Sequence, residues 1–237
     1  MTSVFATIMM SRVRPQDRRT VLGWCLATIL GVSGLLATPA AATDIMAGQV
    51  AKPDMSLAAG IKAAHAGQFA DAITILRPHA EEGRAKAHYA LGLIYSKARG
   101  TGLPARADQA HHHFQQAAST GHIGAIFELA FQYERGIGAA ADMNKALQLY
   151  RIAAHHNHLN AQFNLAVILS RGGTVKPDLR EAYFWALAAQ HRARTHPRGP
   201  LTVERLTKLV RQIRSALPHQ AASQATRAAT RLTGQPV

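Results

Sequence analysis

One pattern in this chain is written three times over, at a spacing of 36 to 38 residues, and few folds accommodate such a repeat. Counted from Ala125, the frame places Leu129, Ala130 and Tyr133, then Gly136 and Gly138, then Asp142, Ala146, Tyr150, Ala153 and Ala154. It starts again 36 residues on, at Ala161, with Leu165, Ala166, Leu169, Gly172, Asp178, Ala182 and Trp185. An earlier copy begins 38 residues before, at Ala87, with Leu91, Gly92, Tyr95, Gly100, Gly102, Asp108, Ala110, Phe114, Ala117, Ala118 and Gly121. Its extra two residues fall between Tyr95 and Gly100. Each copy holds two apolar runs at helical spacing, and only stacking of copies can bury both. The expected fold is all-α: a right-handed solenoid of stacked antiparallel helix pairs with a C-terminal capping helix.

Within a copy, helix A runs from the alanine to about the tyrosine, and helix B from the aspartate to about the double alanine. Asp108, Asp142 and Asp178 are predicted N-caps, and Asp178 with Glu181 forms a capping-box pattern. Gly100, Gly136 and Gly172 follow helix A, where a left-handed residue is wanted. These glycines form no phosphate loop, because neither G-x-x-x-x-G-K-S/T nor a strand-borne G-x-G-x-x-G is present.

The recurring residues resemble the Sel1-like repeat, a relative of the tetratricopeptide repeat, over about three copies. Ala130 and Ala166 stand where that pattern has its first glycine, Leu169 where it has tyrosine, and Asn157 where it closes on glycine. The last copy is one residue short before Ala188 and Ala189. The resemblance implies a non-catalytic protein-binding scaffold or regulator, assembling or restraining proteins of a bacterial envelope.

Residues 1–42 read as an export signal. Arg12, Arg14, Arg18 and Arg19 precede an uncharged apolar run over 21–36, and Ala40, Ala41 and Ala42 supply a small-residue cleavage site. The expected location is therefore the periplasm, the alternative being an uncleaved N-terminal anchor. Cys25, the only cysteine, lies in this leader, so a mature chain has no disulfide, thiol nucleophile or cysteine-based zinc site. Residues 43–55 read as a short leader without structure. Residues 56–86 form a divergent first repeat, with helices over 56–66 and 68–82 divided at Gly67. Three repeats occupy 87–190 and a linker 191–200. The remainder, 201–237, holds an amphipathic helix over 201–217, then Pro218, an alanine-rich helix of about a dozen residues and a tail.

Helix geometry then selects a binding surface. Ala125, Leu129, Ala130 and Tyr133 share one face, expected to pack on helix B, while Tyr89, Phe127 and Phe163 with Leu93, Phe131 and Val167 form a second apolar stripe, expected against the neighbouring repeat. The flank left over carries Ala90, Ile94 and Lys97, then Glu128, Gln132 and Arg135, then Asn164, Ile168 and Arg171. Stacked on the concave side, these nine residues are the expected partner-binding groove.

Charge supplies an alternative. The chain carries 27 Lys and Arg against 13 Asp and Glu, and loss of the leader's four arginines and Asp17 leaves 23 against 12. Such an excess speaks of acidic partners rather than of fold. Arg205, Lys208, Arg211 and Arg214 recur at threes along the last amphipathic helix and are the candidate residues for an anionic lipid or polysaccharide. No nucleic-acid motif is present, and no nucleic-acid partner is expected.

Thirteen histidines raise the question of a metal. Neighbours on a helix diverge by about 100°, so His111, His112 and His113 cannot converge on one ion. His111 and His113 fall at the frame positions of Leu147 and Leu149, which makes them packing residues, and His122 and His158 share a turn position at the end of helix B. Below pH 6 the imidazoles are expected to add to the positive surface. With no G-x-S-x-G, H-E-x-x-H or S-x-x-K pattern, neither an enzyme nor a cofactor is expected.

Overall fold

The computed structural model describes residues 54–97, 106–197 and 202–235. The expected export signal and all but the last two residues of the expected leader lie outside these, as does the first copy's loop with Gly100 and Gly102. Among the described residues the chain is ten helices and no strand. They are α1 (Leu57–His65), α2 (Phe69–Glu81), α3 (Ala85–Lys97), α4 (Ala107–Ser119), α5 (Ile123–Arg135), α6 (Met143–His155), α7 (Leu159–Arg171), α8 (Leu179–Thr195), α9 (Val203–Ser215) and α10 (His219–Thr233). No described helix is long and apolar enough to cross a membrane.

Helices α1 to α8 form four stacked pairs, and each A helix after the first also packs on the B helix that precedes it: α3 on α2, α5 on α4, α7 on α6. Alanine makes these crossings close. Ala87, Ala125 and Ala161 on the A helices and Ala110, Ala146 and Ala182 on the B helices are fully buried. Gly92 marks the tightest pair, since a Cβ there would stand 2.5 Å from the Phe114 ring. Large side chains fill the rest of the B layer, where Phe114 and Tyr150, eighth in their helices, and Trp185, seventh in its own, are buried.

The loop from A to B explains two recurring residues. The Asp142 N–H donates to the Tyr133 carbonyl at 2.9 Å and the Asp178 N–H to that of Leu169 at 3.0 Å, tying the start of each B helix to the end of its A helix. Their carboxylates accept from the N–H groups of Lys145 and Glu181, as caps should. Gly136 ends α5 in the left-handed region, and Gly138 lies against the Ala107 carbonyl, where no side chain fits.

Three local expectations are corrected. Asp108 sits inside the first turn of α4, and Arg106 takes the cap position without a side-chain bond. Glu181 does not complete a capping box, because its carboxylate grips Arg151 on α6 at 2.7 and 2.8 Å and accepts from Trp185 Nε1 at 3.1 Å. Helix α8 runs to Thr195 with Ala193 buried, so the linker begins later than residue 191.

At the C-terminal end α9 packs on α8 and touches α7, the place a further A helix would take. Its Leu206 and Ile213 are buried, as the amphipathic pattern requires. Helix α10 does not pair with α9 as a B helix would; it lays Ala222, Ala225 and Ala229 on the core around α8.

Leu129 is 5% exposed and packs with Ala110, Phe114 and Ala117 of α4. Leu129→Ala is expected to cost about 2 to 5 kcal/mol in denaturant unfolding, and a loss below about 1 kcal/mol would contradict this burial.

Candidate functional site

The flank expected to be open is in large part closed. Ala90 and Ile94 lie in a core cluster with Ala72, Leu76 and Ala80 of α2, and Ile94 is only 2% exposed. Gln132 is buried, its Oε1 2.9 Å from His111 Nδ1 on α4. Asn164 donates to the Tyr150 hydroxyl of α6 at 3.0 Å, and Ile168 packs half-buried on the largest core cluster. Ala90, Ile94, Gln132 and Asn164 thus meet the preceding B helix. The expected contact with the neighbouring repeat lay along the second apolar stripe, whereas in the stack the preceding B helix also covers this flank. Lys97 ends α3, and its side chain is outside the described residues.

Glu128, Arg135 and Arg171 keep their place at the surface. Arg135 and Arg171 are exposed and Glu128 is half-buried. Beside them stands the apolar stripe that was expected to be interface alone: Tyr89, Leu93, Phe127, Phe131, Phe163 and Val167 are each half-buried. The A helices thus carry a row of aromatic and aliphatic side chains beside Glu128 and the two arginines, part of it covered by the B layer: the Tyr89 ring lies 6.1 Å from that of Phe114 and the Phe127 ring 5.8 Å from that of Tyr150. The Arg135 guanidinium lies over the Phe131 ring, 5.5 Å from its centroid. A cavity of about 380 Å³ opens between α3, α4 and α5, with Tyr95, Phe114, Glu128, Phe131 and Ile137 in its wall. Beneath the row, the buried Tyr150 hydroxyl donates to Glu134 at 2.7 Å while accepting from Asn164. Burial first, and Glu134 second, push this phenol far above its ordinary range.

The same stripe carries an interlock that the sequence concealed. His122 and His158 are N-caps of α5 and α7, their Nδ1 atoms accepting from the N–H groups of Ala125 at 3.2 Å and Ala161 at 3.3 Å. Each ring lies against the aromatic residue of the repeat before it: Tyr89 with His122 at 4.3 Å between centroids, Phe127 stacked on His158 at 4.5 Å. Phe163, third in the series, carries the Arg205 guanidinium at 5.0 Å instead. The two histidines close one helix and open the next, and only the opening role uses the ring, which must stay neutral to accept a hydrogen bond at a helix N-terminus. A dipole-stabilised cation is therefore not what stands at these turns.

Burial lowers the pKa of both caps. It acts likewise on His88 and on His113, which is held at about 4 by desolvation and then by His88 and His112. The Nδ1 atoms of His88 and His113 face each other at 3.0 Å, a contact that needs one of them unprotonated, and the His113 ring lies parallel to Tyr95. Among the described residues no three His, Cys, Asp or Glu side chains converge as a metal set.

A family model described as Sel1 repeat matches residues 85–122, 123–158 and 159–189. A solved structure of a protective antigen present in uropathogenic Escherichia coli strains, displaying an SLR fold, superposes with a TM-score of 0.63 at 23% identity. The match covers 76% of this chain, which spans only 38% of that protein. A Sel1 repeat protein from Oxalobacter formigenes gives a TM-score of 0.52 at 22% identity, over 76% of this chain and 79% of that one. At these identities the likeness is one of fold. No curated protein matches the sequence significantly.

The lowered histidine pKa values fix a sign. An unfolded imidazole takes its proton near pH 6.5, and these four take theirs lower, so the unfolded state binds more protons in between. Their contribution is complete above about pH 6.5 and is lost as pH falls below it, that of His113 towards about 4. Tm is expected to fall across that window. A His122→Asn, His158→Asn variant, which keeps a cap but cannot titrate, should start lower, having lost two ring contacts, and decline less steeply. An equal slope would remove the caps from this account.

Proposed function

We propose, from the premise that residues 85–189 of this chain are three Sel1 repeats, that the protein is an exported, non-catalytic adaptor of the bacterial envelope. Sel1 repeat proteins generally mediate protein–protein interaction and are typically not enzymes. The binding surface is the outward face of α3, α5 and α7. The observation that carries this reading is the half-buried row of Tyr89, Phe127, Phe131, Phe163 and Val167, repeated from helix to helix with polar groups between. Aromatic side chains offer much contact area for little conformational entropy and dominate binding energy where they occur at interfaces. A partner segment is laid across the row, and Arg135 and Arg171 form its basic rim. The arginine-led signal over residues 1–42 supports export.

A photo-crosslinker placed at Phe131 in cells, with a control at the exposed Ile152 on the B-helix side, tests the surface. A discrete protein captured from Phe131 and not from Ile152 is the expected result. With that protein purified, the Arg135→Glu, Arg171→Glu variant should bind at least about tenfold more weakly, a change of about 1.4 kcal/mol, with Tm unchanged. Equal capture from both faces, or a fall in Tm that accounts for the loss, would refute the assignment.

A further inference from the structure

The charge of this chain is unevenly spread. After Gln190 the sequence has nine Lys and Arg and a single acid, Glu204. Arg205, Lys208 and Arg211 of α9 and Arg227 and Arg231 of α10 are exposed, Arg214 is half-buried, and among the described residues no ion pair involves either helix. The only acid of α8, on which both helices pack, is Glu181, and it is taken up by Arg151 and Trp185. The excess therefore has no internal counter-charge.

It also has a place to act. Between α9 and α10 lies a notch of about 340 Å³ lined by Arg214, Ala222, Ser223, Thr226 and Arg227. Its chemistry is narrow. The Ser223 and Thr226 hydroxyls already donate to their own helix, to the carbonyls of His219 and Ala222. The donors left to meet a ligand are two guanidinium groups, one from each helix, so the fitting ligand offers acceptors only and negative charge. A carboxylate is satisfied by one arginine in a planar fork, whereas a tetrahedral oxyanion accepts from two directions at once.

We propose that the α9–α10 notch is an anion site for a phosphate-class oxyanion, gripped by Arg214 and Arg227. Lys208 and Arg211, at successive intervals of three before Arg214, extend the same attraction along α9. The site is separate from the face of the A helices and uses none of its residues. A phosphodiester of a lipid headgroup and a soluble phosphate present the same oxygens, and the notch accepts either.

The test uses the chain after removal of residues 1–42, with Arg227→Gln as the principal variant, since Arg227 is exposed and holds no structural bond. Arg214→Gln is the second, its guanidinium also donating to the Leu217 carbonyl at 3.4 Å. Arg194→Gln, exposed on α8, is the control of equal charge. Each is checked for unchanged helicity and Tm. One arm measures co-sedimentation with phosphatidylglycerol vesicles against phosphatidylcholine vesicles; the other follows the amide resonances of Ser223 and Thr226 with inorganic phosphate and glycerol phosphate. The expected result is binding in at least one arm that weakens fivefold or more in Arg227→Gln and in Arg214→Gln but not in Arg194→Gln. Loss in the vesicle arm alone assigns a lipid headgroup, and loss in the soluble arm a free phosphate. No binding in either arm, or equal weakening in all three variants, would overturn the site and leave diffuse charge.

Discussion

Helices stack at this spacing only where their axes come close, and here the closeness depends on alanine. Six fully buried alanines, three on A helices and three on B helices, mark the crossings through which each A helix is wedged between two B helices. Alanine suits both demands on such a position, being the best helix former and the smallest side chain that is not glycine. It also buries little area, so the apolar content of the core has to come from Phe114, Tyr150 and Trp185 on the B layer and from the aromatic stripe on the A layer. The wedge decides what remains at the surface. The flank against the preceding B helix is closed, and the aromatic stripe, only half covered, stays in part at the surface.

Polar groups inside the stack follow the same geometry. Gln132 reaches His111, Asn164 reaches Tyr150, and Glu181 reaches Arg151, each joining a helix to one in a neighbouring repeat. These bonds act between units, where a buried unpaired group would cost about 1 to 3 kcal/mol, and they fix how one repeat is set on the next. Within the second repeat the Tyr150 hydroxyl also donates to Glu134, beside apolar packing and the aspartate-to-carbonyl tie.

Much of this was legible in the residues. The period, the A and B runs, the break at Gly67, the caps at Asp142 and Asp178 and the amphipathic α9 all appear where spacing placed them, because each depends on a few consecutive side chains and one helical pitch. What spacing could not supply was the neighbour. A helical wheel divides a helix into faces but does not say which face meets which partner, so Ala90, Ile94 and Gln132 were assigned to the open side. Asp108 illustrates a second limit: α4 and α6 begin 36 residues apart, at Ala107 and Met143, so that Arg106 stands where Asp142 caps and Asp108 falls inside the first turn. The histidine caps were hidden for a third reason. Histidine is an uncommon cap, and its role became visible only with the ring of the previous repeat lying against it; the two pairs differ in spacing, Tyr89 and His122 being 33 residues apart and Phe127 and His158 31.

That pairing gives the array an asymmetry along its axis. In a solenoid each unit is held by its own stability and by a coupling to the unit beside it. Two of the couplings here pass through a titratable ring, from the first repeat to the second and from the second to the third, while the corresponding contact to α9 passes through Arg205, whose charge does not change. Acid therefore loosens the joints of the rod selectively, leaving the C-terminal joint as firm as before. The joints between successive units are thereby unequal in acid sensitivity, greatest at the two that pass through His122 and His158 and least at the one that passes through Arg205.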